Sequence, residues 1–86
     1  MPEIARFYGI IIRMYFNDHN PPHFHAIYNE QEALINIRTL SAFSGQLSPR
    51  ALGLVIEWAT QHQQELLADW ERAQSRQPLA PIKPLS

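Results

Sequence analysis

Residues 5–28 read ARFYGIIIRMYFNDHNPPHFHAIY, two apolar and aromatic runs separated by a polar segment that contains two prolines. β-branched and aromatic residues dominate both runs, which favours strand over helix. The first run alternates between two faces, as a half-buried strand does. Gly9 interrupts it and predicts either a bulge or a short strand leading into a longer one. The positions predicted to be buried are Ile10, Ile12, Met14 and Phe16.

The segment NDHNPP at residues 17–22 has the composition of a turn, because each proline restricts φ and the Asp and Asn side chains bond to nearby backbone. The run HFHAIY then resumes as a strand that places His23 and His25 on one face. A short polar link, NEQE, leads to a third alternating run, ALINIRTL at residues 33–40. The following SAFSGQL is predicted to be a loop around Gly45.

The period changes after this loop. Ser48 followed by Pro49 is typical of a helix start, with serine as the N-cap and proline at the first helical position. Gly53 should cost about 1 kcal/mol relative to alanine, so we expect the helix to lie close against the sheet there. Apolar residues then recur at helical spacing and predict one amphipathic helix of more than twenty residues, ended by Pro78: Leu52, Val55, Ile56, Ala59, Leu66 and Trp70.

These elements predict an α+β fold in which a small antiparallel sheet of three to four strands packs against one long C-terminal helix, in two layers. Residues 1–77 form the single predicted domain. Residues 78–86, with three prolines, form an extended tail whose apolar side chains would lie on the domain or on a partner. An open edge strand would also allow a partner, or a second copy in a homo-oligomer, to add a strand.

Composition narrows the function classes. The chain has 86 residues, of which 45% are hydrophobic and 17% charged, with a net charge of −1 and no cysteine. Disulfides, thiolate chemistry and cysteine-based zinc sites are therefore excluded. No run approaches the roughly 20 apolar residues of a membrane span, and the N-terminus lacks the pattern of a signal peptide, so we expect a soluble, cytoplasmic protein without a membrane partner.

Three of the four histidines lie within residues 19–25 and form a candidate metal site. His23 and His25 leave the same face of a strand about 6.5–7 Å apart at their Cα atoms, so their rings can converge on one ion. His19 would be the third ligand, or Asp18 in its place, held by a loop that Pro21 and Pro22 stiffen. Neutral imidazole is a good ligand for zinc, nickel or copper.

The same group also fits acid–base catalysis. Arg13, His19, His23 and His25 would share the roles of base, acid and anion stabiliser in cleaving a phosphodiester such as RNA. Tyr15 and Tyr28 would stack on a base. The low net charge argues against tight RNA binding through counterion release. In a third, purely structural interpretation, His25 lies on a half-exposed sheet face and His19 bonds to the turn backbone.

The predicted helix offers little further chemistry. His62 is either a surface residue beside Trp58 or, if it faces the sheet, a fourth ligand. The acidic side chains are predicted to form a solvated face: Glu57, Glu65, Asp69 and Glu71. No nucleophile motif, phosphate-binding glycine loop or dinucleotide fingerprint is present, which leaves histidine-centred or metal-centred chemistry as the enzymatic options.

The segments PEIARFYGIIIRMYFNDHNPPHFHA, RALGLVIEWATQHQQELLADW and PLAPIKPL together resemble a bacterial family known as domain of unknown function 4160. The three histidines belong to the signature of that family. The resemblance implies a small prokaryotic protein that is encoded beside a partner, domain of unknown function 2442. It also implies a two-gene toxin–antitoxin module in which this chain is the toxin.

Three functional hypotheses follow. The chain is a toxin that acts through the histidine group, with RNA as the target and the small partner protein as its antitoxin. Alternatively, it is a non-catalytic interaction module in which the histidines hold zinc to stabilise a small core. In the third hypothesis it is the neutralising member of its pair.

Overall fold

The first apolar run forms two strands, because Tyr8 and Gly9 make a two-residue hairpin turn. In the computed structural model, which describes residues 3–86, both residues have positive φ and the turn is closed by the pair Phe7 and Ile10. Positive φ at both central positions is the geometry of the tight turns that join antiparallel strands. The strands are β1 (Glu3–Phe7), β2 (Ile10–Arg13), β3 (His23–Tyr28), β4 (Gln31–Asn36) and β5 (Ser41–Gly45).

All five strands form one antiparallel sheet in the order β1-β2-β3-β4-β5. The predicted loop at residues 41–47 was wrong over its first five residues, which form β5 at the edge of the sheet. The prediction that all four residues of NEQE form a link was also wrong. Only Asn29 and Glu30 form the turn, and Glu32 belongs to β4, where it lies opposite Ile27.

Two helices follow the sheet, α1 (Pro49–Gln61) and α2 (Gln63–Gln74), and His62 separates them. The predicted architecture of three to four strands with one long helix is therefore wrong: residues 3–86 hold five strands and two helices. The break falls in the polar stretch TQHQQE, where the apolar repeat misses its positions between Ala59 and Leu66. Neither helix in this part of the chain is long and apolar enough to cross a bilayer.

The core lies between one face of the sheet and the helices. Trp58 is fully buried there and contacts the rings of Phe7 and Phe24. Ile10, Ile12 and Met14 are buried as the alternation predicts, but Phe16 is 44% exposed because β2 ends at Arg13.

The tail packs against the domain. Ile82 and Leu85 are buried, and the Ile82 backbone N–H donates to the Ile4 carbonyl on β1. The Trp58 ring N–H donates to the Lys83 carbonyl over 2.8 Å. Asp69, predicted on a solvated face, is instead completely buried, and its carboxyl group accepts from the backbone N–H of Ala80 at 2.8 Å. Residues 1 and 2, where the predicted domain begins, lie outside the described residues.

Gly53 does not lie close to the sheet. It is exposed on α1, and a Cβ at this position would meet no atom within 4 Å. The expectation of a close contact was therefore wrong, and the cost of glycine in a helix interior is uncompensated by packing.

Replacing Gly53 with alanine should raise the free energy of unfolding by about 0.5–1 kcal/mol, since alanine restricts the unfolded chain and meets nothing in the folded one. Urea unfolding followed by circular dichroism measures the change. Gly53→Ser is the graded control and should give a smaller gain. Destabilisation by the alanine would show that this face of α1 is in contact after all.

Candidate metal centre

The residues between β2 and β3 bring Asp18 to the start of β3. The C-terminal end of α2 holds this loop at two points. The Asn17 backbone N–H donates to the Ala73 carbonyl at 3.4 Å, and the Gln74 side chain donates to the Asp18 carbonyl at 3.2 Å. The Asp18 carboxylate also accepts from the His19 backbone N–H at 2.9 Å. Its side chain is thereby directed toward β3.

Asp18, His23 and His25 form one cluster, called the triad below. One carboxylate oxygen, Asp18 Oδ2, lies 3.0 Å from His23 Nε2 and 3.2 Å from His25 Nε2. The two imidazole centroids are 5.4 Å apart. One ligand atom from each of the three residues lies within 4.8 Å of the other two.

The far nitrogen of each ring has its own acceptor. His23 Nδ1 lies 2.7 Å from the Pro21 carbonyl, and His25 Nδ1 lies 2.8 Å from the Glu32 carboxylate. Because a carbonyl oxygen only accepts, His23 Nδ1 carries the proton, and the Glu32 carboxylate favours the same tautomer of His25. Such outer partners orient the imidazoles of metal sites and set their tautomers.

This arrangement leaves a mismatch at the centre of the triad. In their neutral forms both rings direct the Nε2 lone pair at Asp18 Oδ2, which is itself an acceptor. Three acceptors then meet without a donor, and either a proton on each ring or a cation between them removes the repulsion. Ligands about 2.0–2.2 Å from a tetrahedral zinc lie about 3.3 Å apart, close to the two separations from Oδ2. The donor types and these two separations therefore fit a divalent transition metal, and all three ligand atoms lie within 4.8 Å of one another.

The carboxyl group of Asp18 is held in its ionised form. Partial burial alone would raise its pKa, but a hydrogen bond from protonated His25, one from the His19 backbone, and the charge and hydrogen bond of protonated His23 outweigh it, so the pKa lies below its usual range. An ionised carboxylate is the form that binds a metal.

Aromatic side chains enclose the triad on several sides. Tyr15 meets the His25 ring edge to face at 4.5 Å, and Phe43 meets the His23 ring in the same way at 5.4 Å. Trp70 of α2 lies 5.3 Å from the His23 ring. His23 is only 4% exposed, whereas the Asp18 side chain is 23% exposed, so the triad opens to solvent on the Asp18 side.

The predicted site residues are only partly brought together. His23 and His25 share the cluster, and Asp18, the alternative third ligand, completes it. His19 is exposed and contributes its backbone N–H, not its ring, to Asp18. Arg13 is the cross-strand partner of His25 in the β2–β3 register, on the same face of the sheet.

Two further candidates lie elsewhere. His62 bonds to Glu65 at 2.6 Å beside Trp58 and takes no part in the triad. Tyr28 pairs with Ile10 on the opposite face of the sheet from His25, so only Tyr15 lies at the cluster.

Sequence reasoning missed Glu32 and the enclosing rings of Phe43 and Trp70. Glu32 was detectable in principle, because a two-residue turn at 29 and 30 places it two positions from Leu34, the partner of His25. The contacts of Phe43 and Trp70 depend on β5 and on the position of α2, which no local pattern specifies.

A family model described as "Domain of unknown function (DUF4160)" matches residues 9–71 of the 86-residue chain. The matched range contains the triad, Arg13 and Glu32, and it leaves out β1 and the tail. No curated protein and no solved structure gives a significant match.

Proposed function

The chain belongs to the DUF4160 family, and from this premise we propose that it is the effector of a bacterial toxin–antitoxin pair, with an activity that depends on a divalent metal held by Asp18, His23 and His25. The observation that carries the proposal is the convergence of two imidazole Nε2 atoms on one carboxylate oxygen, with each ring oriented by an acceptor on its far side. Three protein ligands leave a coordination position for water or substrate, as catalytic zinc sites do.

The metal would lower the pKa of a bound water and supply a nucleophile at neutral pH. The protein's own part is to hold the three ligands and to keep the surroundings partly dry through Tyr15, Phe43 and Trp70. RNA is the proposed target, and the partner protein of domain of unknown function 2442 is the proposed antitoxin. The gene pairing implied by the family resemblance supports this part of the proposal.

Two measurements test the proposal. Calorimetric titration of the purified protein with Zn²⁺ should give one saturable site per chain, and the lack of such a site would overturn the metal assignment. Expression of this gene alone should arrest growth, and co-expression of its neighbour should relieve the arrest. Arrest caused by the neighbour and relieved by this chain would make it the neutralising member instead.

A second candidate function is a metal-stabilised interaction module without catalysis. The observation that favours it is the burial of His23 between Phe43 and Trp70, which keeps one ligand away from any substrate. In that case chelation should lower the melting temperature by several degrees, because a metal that binds only the folded state stabilises it. A chain that binds Zn²⁺ and melts at a lower temperature on chelation, but does not arrest growth when expressed alone, would select this function over the effector.

Glu32 should act on the metal through His25. Replacing Glu32 with alanine removes the acceptor of His25 Nδ1, and we expect Zn²⁺ affinity to fall about 10-fold to 100-fold. Glu30→Ala is the matched control, since Glu30 is an exposed carboxylate in the adjacent turn and its loss should leave the affinity nearly unchanged. Equal effects of the two substitutions in calorimetry would mean that overall charge, not ring orientation, is responsible.

A further inference from the structure

Arg13 is a half-buried cation that forms no ion pair within residues 3–86, although its charge acts on Glu3 across the strands. Its Nε is buried and makes no hydrogen bond, and the guanidinium forms no ion pair with any carboxylate of residues 3–86. Burying a charged group without a partner is costly, so such a group is expected to have one.

The neighbouring carboxylates are each engaged elsewhere. Glu3 is the cross-strand partner of Arg13 on β1, but both of its oxygens accept from Arg6, at 2.8 and 3.1 Å. Asp18 binds the two imidazoles and Glu32 binds His25. The partner of Arg13 is therefore expected to come from outside the chain.

The position of Arg13 identifies where that partner would lie. Arg13 and His25 are directly opposite on adjacent strands, a relation that places Cβ atoms about 4.5–5.5 Å apart on one face. A guanidinium next to a metal is a common arrangement for phosphate, because its planar fork matches phosphate oxygens and the metal attracts them.

Charge decides the order of binding. Without a metal, the carboxylates of Asp18 and Glu32 outnumber the charge of Arg13, and the patch has one excess negative charge. A divalent ion reverses this to one excess positive charge. We propose that Arg13 and a metal held by the triad together bind a phosphate group, and that the metal must be bound before the anion. This inference rests on the proposed function, because it places the phosphate beside the metal of the triad. A local attraction of this kind would allow a chain of net charge −1 to bind RNA.

Calorimetry with inorganic phosphate tests the inference. Protein loaded with one equivalent of Zn²⁺, with excess metal removed, should bind phosphate at least about tenfold more tightly than the metal-free protein. Arg13→Gln should reduce phosphate affinity about tenfold or more and leave Zn²⁺ binding intact. Arg50→Gln is the charge-matched control, because Arg50 is exposed at the start of α1, and it should behave as the wild type.

Asp18→Asn separates metal-dependent binding from simple electrostatics. The substitution removes a negative charge, so a purely electrostatic site would bind phosphate more tightly. The inference predicts the opposite, loss of phosphate binding in the presence of one equivalent of Zn²⁺.

The remaining outcomes are distinct. Zn²⁺ binding without phosphate binding, or equal phosphate affinity with and without metal, would overturn the inference and leave the metal site standing. Failure to bind Zn²⁺ would overturn both. A short single-stranded RNA distinguishes a phosphodiester from free phosphate as the ligand. If RNA binding depends on Arg13 and free phosphate competes with the RNA, the phosphodiester is a ligand of the same site. RNA binding that is unaffected by Arg13→Gln and by free phosphate would contradict the assigned substrate class.

Discussion

Replacing Asp18 with asparagine is expected to weaken Zn²⁺ binding by about 100-fold or more, without destabilising the metal-free fold. Loss of a residue that merely orients a ligand costs about 10-fold to 100-fold in affinity, and Asp18 is itself a ligand in the proposed site. The substitution removes the only negative charge among the three donors and replaces one oxygen with an amide group.

The metal-free fold should tolerate this change for a specific reason. The asparagine oxygen can still accept from the His19 backbone N–H, which Asp18 Oδ1 does at 2.9 Å. The amide N–H groups can donate to the Nε2 lone pairs of His23 and His25, which removes the meeting of three acceptors. At a pH at which both rings are neutral, the metal-free variant should therefore melt at the temperature of the wild type or slightly above it.

Two measurements check this prediction, calorimetric titration with Zn²⁺ and the melting temperature with and without metal. The wild type should gain stability on adding Zn²⁺, and the variant should not. His62→Ala, which alters a histidine outside the triad, is the control and should bind Zn²⁺ as the wild type does. Retention of full affinity by Asp18→Asn would mean that the metal binds elsewhere.

Much of the candidate site could be predicted from the sequence because strand geometry is local. Alternation places His23 and His25 on one face, and the polar loop before them supplies the third group. The choice between His19 and Asp18 is not local, since it depends on contacts of the loop with Ala73 and Gln74 at the end of α2. Those contacts direct the Asp18 side chain toward β3 and leave the His19 ring exposed.

The errors in the fold have a similar origin. Ser41–Gly45 has no alternating pattern because all its residues are exposed, so an edge strand there is indistinguishable from a loop without its pairing to β4. Gly9 predicts an interruption of the first run but not a hairpin. The hairpin also requires a positive φ at Tyr8, which is uncommon for a residue with a side chain. The helix was predicted as continuous because Ala59 and Leu66, which are seven residues apart, keep the helical phase across the polar residues between them.

Asp69 was predicted on the solvated face of the helix because it is acidic, but the structure gives it a buried role. Its side chain is completely buried, and Oδ1 accepts from Arg72 at 2.7 Å and from the Ala80 backbone N–H at 2.8 Å. It thereby joins α2 to the beginning of the tail, which continues to the buried Ile82 and Leu85. The spacing of charged residues along α2 could not predict this contact, because the hydrogen-bond donor lies in the tail and not in the helix.

Asp69→Ala should lower the free energy of unfolding by about 2–3 kcal/mol, the second large effect expected in this chain. The change removes a charge-assisted hydrogen bond and leaves the Ala80 N–H without its acceptor. The loss of Arg72 as a partner adds less, because that side chain is 40% exposed and water can replace the carboxyl group. Asp69→Asn keeps an oxygen for Ala80 and should cost about half as much.

Urea unfolding measures these differences, and Glu71→Ala, an exposed acidic residue on the same helix, should stay within about 0.5 kcal/mol of the wild type. Hydrogen exchange locates the effect. If Asp69 holds the tail, the Ile82 amide, which donates to Ile4, should exchange faster in Asp69→Ala than in Glu71→Ala. A large loss of stability with an unchanged Ile82 amide would assign the role of Asp69 to α2 alone. Trp70 follows Asp69 on α2 and contacts His23 of the triad. In that case Zn²⁺ affinity would be a more sensitive readout of the substitution than exchange of the Ile82 amide.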